Sequence, residues 1–253
     1  MTFSIIGRCE RTGAFGAAVT TSNLAVGSRC ARLSHRKGAF LSQHRTDPRL
    51  GDLGIELLSQ GVSADEAVAR VCESTPDVEW RQLAALDTEG RASVYHGRRM
   101  YSIYTHSVGK NCVAAGNILA NDRITAAMVA AFEEDPEEVL AERLMRALEA
   151  GRDAGGEIIG PLRSSVLRAT GEHGLDRCDL RVDISAKDAV ADLRALKTAY
   201  GDQEEELRRI ALEPDALPVS RTLFEASIER IEALGLADRF PTARRRDTWV
   251  LRG

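Results

Sequence analysis

No apolar run in this chain approaches the ~18–20 residues that a helix needs to cross a bilayer. The N-terminus lacks the apolar stretch of a signal peptide, because Arg8, Glu10 and Arg11 interrupt it early. Positive charge is not in excess. The 34 Lys and Arg face 38 Asp and Glu, and the net charge of −4 argues against a general nucleic-acid binder. A cytoplasmic protein with no membrane partner is expected. Cys9, Cys30, Cys72, Cys112 and Cys178 are scattered and form no C-x-x-C pair, so reduced thiols are expected. His35, His96, His106 and His173 show no metal-ligand spacing, and H-E-x-x-H is absent. No metal and no cofactor is expected. Ser164-Ser165 lacks the G-x-S-x-G elbow of an α/β-hydrolase. Gly13-Ala14-Phe15-Gly16 is too short for a dinucleotide fingerprint, and no repeat or low-complexity tract occurs.

What is present is ordinary in bulk and most informative at its start. A hydrophobic fraction of 43% and a charged fraction of 28% fit a globular protein. The 253 residues suffice for one large domain, or one domain with an appendage. The opening Met1-Thr2-Phe3-Ser4-Ile5-Ile6-Gly7 puts a hydroxyl residue directly behind methionine and then runs into an apolar strand. Methionine aminopeptidases generally remove Met1 ahead of a residue as small as threonine. Thr2 would then carry both a nucleophilic hydroxyl and a free α-amine, one of the ways a weak hydroxyl is activated. An α-amine has an ordinary pKa of about 7.7–8.0, so near neutral pH it is a usable base.

The coarse pattern is strands, paired helices, more strands, then helices. Phe3 to Arg8 and Ala14 to Asn23 read as two strands around the turn Glu10-Arg11-Thr12-Gly13, and Gly38 to Gln43 as a third. Gly51 to Ser59 reads as a helix ended by Gly61. Ser63 with Glu66 forms a capping box before a helix over Ala64 to Glu73. Arg81 to Leu86 and Arg91 to His96 flank Asp87-Thr88-Glu89-Gly90 as a hairpin. Asn111 to Ala115 is a strand entering Gly116-Asn117. A helix runs from Asp122 to Phe132, and another opens at Asp135-Pro136 and runs to about Ala150. Arg163 to Thr170 and Asp179 to Val182 are strand-like, and Asp188 to Tyr200 is helical. Amphipathic helices over Gln203 to Leu212 and Ser220 to Leu234 form a charged appendage, with Trp249 near its end and Arg244-Arg245-Arg246 as a solvated patch. The order lacks the strict alternation of a doubly wound sheet. It predicts an α+β fold of two antiparallel sheets covered by helices, over residues 1–200, with a helical extension over 201–253.

Several segments match a known family together. They are Met1-Thr2-Phe3-Ser4-Ile5, the second strand through Ala25-Val26-Gly27, Gly38-Ala39 with Gln43, Pro48 and Gly51, and Gly54-Ile55-Glu56-Leu57-Leu58. Leu86-Asp87-Thr88-Glu89-Gly90-Arg91, Ala115-Gly116-Asn117-Ile118-Leu119-Ala120, Leu144 to Gly156 and Asp179-Leu180-Arg181-Val182-Asp183 complete the set. The chain resembles a bacterial and archaeal family of N-terminal-nucleophile (Ntn) hydrolase-like proteins, domain-of-unknown-function family 1028, distantly similar to proteasome β-subunits. The resemblance spans roughly residues 1 to 200 and implies a four-layer αββα sandwich. It implies no particular substrate. Gln43-His44-Arg45-Thr46-Asp47 is more polar than the small and apolar run usual there.

By that layout Thr2 is the candidate nucleophile and its amine the base. Gly116 and Asn117, at a strand end, are the candidate oxyanion donors. Ser22 and Asn23 would orient the substrate, and Ser4 and Gln43 would line the site. His44 with Asp47 and Arg49 forms a polar cluster suited to an anionic substrate, with Arg49 taking a carboxylate. The expected activity is hydrolysis of a C–N amide-type bond in a small metabolite, by a homo-oligomer. Two other readings stand beside it. One is a non-catalytic scaffold that binds a small metabolite or a protein partner. The other is a hydrolase with Ser4 or Cys9 as nucleophile, since Thr2 and Ser4 share one strand face.

Overall fold

The computed structural model describes residues 1–240 and the backbone of 251–252. Trp249 and Arg244-Arg245-Arg246 lie outside the described residues. Met1–Ala199 forms one compact unit and Tyr200–Gly253 a second.

Small residues let the first strands lie close. β1 (Thr2–Arg8) and β2 (Phe15–Thr21) pair antiparallel, with Phe3 opposite Thr20 and Gly7 opposite Gly16. β3 (Ala31–Ser34) and β4 (Gly38–His44) follow, then α1 (Pro48–Ser59) and α2 (Ala64–Glu73). β5 (Arg81–Leu86), β6 (Ala92–His96), β7 (Tyr104–Gly109) and β8 (Cys112–Asn117) lead into α3 (Ile124–Glu133) and α4 (Leu140–Asp153). β9 (Ser164–Ala169), β10 (Cys178–Val182) and α5 (Ala189–Gly201) complete the series.

Two wholly antiparallel sheets result. One has six strands in the order β10-β9-β2-β1-β8-β7, the other four in the order β3-β4-β5-β6. Their inner faces meet through Ile6, Phe15, Ala17, Val19, Leu41, Ala84 and Leu86. On the far side of the smaller sheet, Phe40, Leu83 and Ala85 pack under Leu57, Leu58, Val68 and Val71 of α1 and α2. On the far side of the larger sheet, Gly7 leaves room for Phe132 of α3 and Leu144 of α4, and Phe3 lies against α4 at Gly151. The four layers are therefore α1/α2, four strands, six strands, α3/α4. Period-two alternation along β1 makes this possible. Phe3, Ile5 and Gly7 face helices, while Thr2, Ser4 and Ile6 face the other sheet. Burying each large apolar side chain contributes roughly 1.5–3 kcal/mol.

Several boundaries differ from the sequence reading. β3 and β7 stand where no strand is expected. Both are edge strands, and β7 alternates exposed with half-buried residues. The helix expected from Asp135-Pro136 starts at Leu140 instead. Asp135 Oδ1 accepts the Glu137 N–H at 3.1 Å, and this local turn competes with a helical start. Val139 is then extended, with ψ 141°. The Ser63 cap forms as expected, its Oγ accepting the Glu66 N–H at 3.3 Å. In the second unit α6 (Glu204–Leu212) and α7 (Arg221–Ala233) accompany a short parallel pair, β11 (Val219–Ser220) with β12 (Leu251–Arg252).

Candidate active site

The inner face of β1 turns from apolar to polar toward the chain start, from Ile6 to Ser4 to Thr2. Ser4, Gln43, Gln82 and Asn117 are all fully buried. A buried polar group without a partner costs about 1–3 kcal/mol, so these side chains must satisfy one another. Ser4 Oγ donates to Gln43 Oε1 at 3.0 Å, with the Ala115 carbonyl at 3.2 Å. Gln43 Nε2 donates to Gln82 Oε1 at 2.8 Å, and Asn117 Nδ2 donates to the same oxygen at 2.9 Å. Gln82 Nε2 donates to the Gly116 carbonyl at 2.9 Å. That last contact orients the whole set. A carbonyl only accepts, so Gln82 must turn its nitrogen to Gly116 and its oxygen to Gln43 and Asn117.

The chain of donors continues outward. Gln82 Nε2 lies 3.1 Å from His96 Nδ1, which therefore accepts. His96 Nε2 carries the proton and donates to His106 Nδ1 at 2.9 Å. Burial, reinforced by His106, pushes His96 down to about 4. The neutral imidazole that this tautomer requires is thus the form present near neutral pH.

Thr2 ends the row. It is directly opposite Asn117 in the β1–β8 ladder, and it is 6% exposed. Its hydroxyl donates to the Met1 carbonyl, to which Thr21 Oγ1 also donates at 2.5 Å. The Met1 α-amine lies below its ordinary pKa. Burial lowers it, Glu157 and Cys30 pull it back up, and Arg29 lowers it further. Glu157 is buried and accepts the Ser22 N–H on both oxygens, at 3.0 and 3.2 Å. Burial raises its carboxyl, against the pull of Ser22, the Met1 amine and Thr21. Cys30 is buried beside them, and burial raises its thiol.

His44 closes the other side. Its backbone is left-handed, with φ 68°, at the end of β4. Nδ1 sits 2.8 Å from the Trp80 carbonyl, so Nδ1 carries the proton and Nε2 carries a lone pair. Burial holds the imidazole below its ordinary range, and the Met1 amine pushes the same way. The ring meets Tyr101 edge-on at 5.3 Å.

Four buried side-chain atoms here have no hydrogen-bond partner: Ser22 Oγ, His44 Nε2, Asn117 Oδ1 and, opposite His44 in the β4–β5 ladder, Arg81 Nε. Thr2, Ser4, Gln43, Gly116 and Asn117 thus come together, while Ser22 joins them through Glu157 and His44 is near enough to feel the charge of the Met1 amine. Arg49 is elsewhere in character. Its side chain is 88% exposed and bonded to Asp47 at 2.8 Å, and Asp47 caps α1. Asn23 is exposed and accepts Ser164 Oγ on its main-chain oxygen at 2.7 Å. Cys9 lies past the opposite end of β1. That end carries an open groove lined by Arg8, Arg11 and Arg36, whose guanidiniums are paired with Asn111, Glu137 and Glu172.

Sequence reasoning misses Gln82, Glu157, Thr21 and Cys30. Gln82 carries a signal, a lone amide directly before the apolar run Leu83–Leu86 of the strand. Glu157 carries another, a single acid directly after Gly155-Gly156. No group of three or more His, Cys, Asp or Glu suited to a metal occurs among the described residues. No helix among them is long and apolar enough to cross a membrane.

Comparison with known proteins agrees with this architecture. The crystal structure of protein SPO2555 from Silicibacter pomeroyi, a DUF1028 protein, superposes with a TM-score of 0.72 at 28% identity, covering 78% of this chain and 85% of that one. No curated protein matches the chain. Residues 2–193 match the family described as "Family of unknown function (DUF1028)". The chain belongs to that family.

Proposed function

We propose that this protein is an N-terminal-nucleophile amidohydrolase that cleaves a C–N bond in a small molecule, with Thr2 as nucleophile once Met1 is removed. One observation carries the reading: the Thr2 hydroxyl donates to the carbonyl of Met1, the residue that departs. Removing Met1 frees that hydroxyl and creates an α-amine on the same residue. The new amine lies next to Thr21 Oγ1, which loses its acceptor at the same time. In the reaction Thr2 Oγ1 attacks the carbonyl carbon, and its proton passes to the amine. The amine returns the proton to the leaving nitrogen as the C–N bond breaks. Water then hydrolyses the threonyl ester. Asn117 Nδ2 gives one hydrogen to Gln82 and has a second for the developing oxyanion.

Intact mass of the protein purified from its native cell should show loss of Met1. Thr2→Ala should abolish turnover of small amides with the fold intact, and Thr2→Ser should retain part of it. The pH profile of kcat/KM should rise with an apparent pKa at or below the ordinary α-amine range of about 7.7–8.0, since the base must be unprotonated and this pocket disfavours charge. Full activity in Thr2→Ala, or Met1 retained in the active protein, would end this reading in favour of a non-catalytic binding scaffold. We further propose a cytoplasmic homodimer. The exposed Leu207, Ile210, Leu223 and Leu234 of the second unit support self-association. Sedimentation of the full chain tests it, and a monomer at micromolar concentration would rule it out.

A further inference from the structure

Two of the unpartnered buried atoms are fixed as acceptors. Asn117 is fully buried, and its orientation follows from a carbonyl that can only accept. Gly116 O takes Gln82 Nε2, Gln82 Oε1 takes Asn117 Nδ2, and Asn117 Oδ1 is left over as an acceptor. His44 follows from a second carbonyl. Trp80 O takes the Nδ1 proton, and Nε2 is left over as an acceptor. Asn117 also keeps one Nδ2 hydrogen, a donor. The site therefore asks its ligand for two N–H or O–H donors and one acceptor.

Ligand classes differ in what they can supply. A carboxylate offers acceptors only and would leave both lone pairs unmet. A tertiary amide or an ester offers one carbonyl and no hydrogen. An ammonium offers donors and no acceptor. An unsubstituted carboxamide or a ureide offers a carbonyl oxygen and an NH2 together. We propose that the site recognises its substrate through an unsubstituted –C(=O)–NH2 group, whose N–H bonds meet Asn117 Oδ1 and His44 Nε2 and whose oxygen meets the remaining Asn117 Nδ2 hydrogen. This rests on the reading that the end of β1 is the active site, and it names the substrate class for it. Burial keeps His44 neutral, as an acceptor, near neutral pH. Of the cations near the Met1 amine and His44, Arg29 turns Nη1 to the carbonyls of Leu24 and Ala25, at 2.6 and 2.8 Å, and Arg81 turns Nη1 to the Arg45 carbonyl and keeps its buried Nε without a partner.

Binding separates this inference from the catalytic one. The full chain lacking Met1 and carrying Thr2→Ala is titrated by NMR with propionamide, N,N-dimethylpropionamide and propionate, three ligands of similar size. Propionamide should bind at least about tenfold tighter than the other two, because each of those leaves both lone pairs unmet. Methylurea should compete with propionamide. His44→Phe keeps a ring against Tyr101 and removes the lone pair, and it should cut the preference over the dimethyl amide several-fold. Equal binding of the dimethyl amide, a preference for propionate, or no binding of any of the three to the folded protein would overturn the inference. A tenfold amide preference together with full activity of Thr2→Ala would instead leave recognition standing and remove Thr2 as nucleophile.

Discussion

Gln82 governs the polar interior through a single amide. Its oxygen takes two donors, and its nitrogen serves a main-chain carbonyl and a histidine. Replacing it with leucine would strand Gln43 Nε2, Asn117 Nδ2 and the Gly116 carbonyl in a dry gap. Orphaned groups of this kind cost about 1–3 kcal/mol each, so the three together should make Gln82→Leu destabilise by at least roughly 3 kcal/mol. Urea denaturation of both forms measures this, and a loss below about 1 kcal/mol would mean that water takes over the contacts. Ser4 belongs to the same network. Its proton goes to Gln43 or Ala115, and no base adjoins it, so the network accounts for Ser4 without a nucleophilic role. The sequence shows Thr2 and Ser4 on one strand face by period two alone. It does not show Gln82 or Glu157 beside them, because both arrive by pairing between segments far apart in the chain. Register, not composition, brings Asn117 opposite Thr2.

Elements fall into two groups by how much of them the sequence reveals. α2 announces itself with Ser63 and Glu66, and β1 with its apolar run. β3 and β7 carry no such run, since an edge strand of this kind needs polar residues to discourage further pairing. α4 is displaced at its start because Asp135 closes a turn before the helix begins. Contact between elements is stricter than their existence. α1 crosses β4 so closely that a Cβ on Gly54 would stand 2.3 Å from the Phe40 ring. Gly54→Ala should therefore destabilise by about 1–3 kcal/mol through overpacking, although alanine is the better helix former. Phe40→Leu costs stability alone and should recover part of the Gly54→Ala loss when the two are combined. The double-mutant cycle is the measurement. Strictly additive effects would show that the helix moves away instead of pressing on the ring.

At the scale of the molecule, two acids, the half-buried Glu142 and the buried Glu157, tilt stability with pH in opposite directions. Burial works against Glu142, but Arg194 and Lys197 outweigh it and pull its carboxyl to about 2. Arg194 reaches it at 2.8 Å and Lys197 at 2.5 Å, tying α5 to α4. Its folded pKa lies below its ordinary value, so the folded state binds fewer protons there than the unfolded chain. The stabilisation is complete above the ordinary glutamate range of about 4.3 and disappears as pH falls toward 2. Glu157 has the reverse sign. Burial raises its folded pKa, so its ionisation is harder in the folded chain, and stability is lost as pH rises from that same range through the raised value. Thermal midpoints of the full chain across pH 2–7 should separate the two. Glu142→Gln should lower the midpoint near neutral pH and converge on the parent protein toward pH 2. For Glu157→Gln, the midpoint relative to the parent should climb as pH rises. The two difference curves should thus have opposite slopes. A Glu157→Gln curve that falls with pH would show that its carboxylate is stabilised where it stands by the amine at the chain start, and the site would then hold a full ion pair beside Thr2.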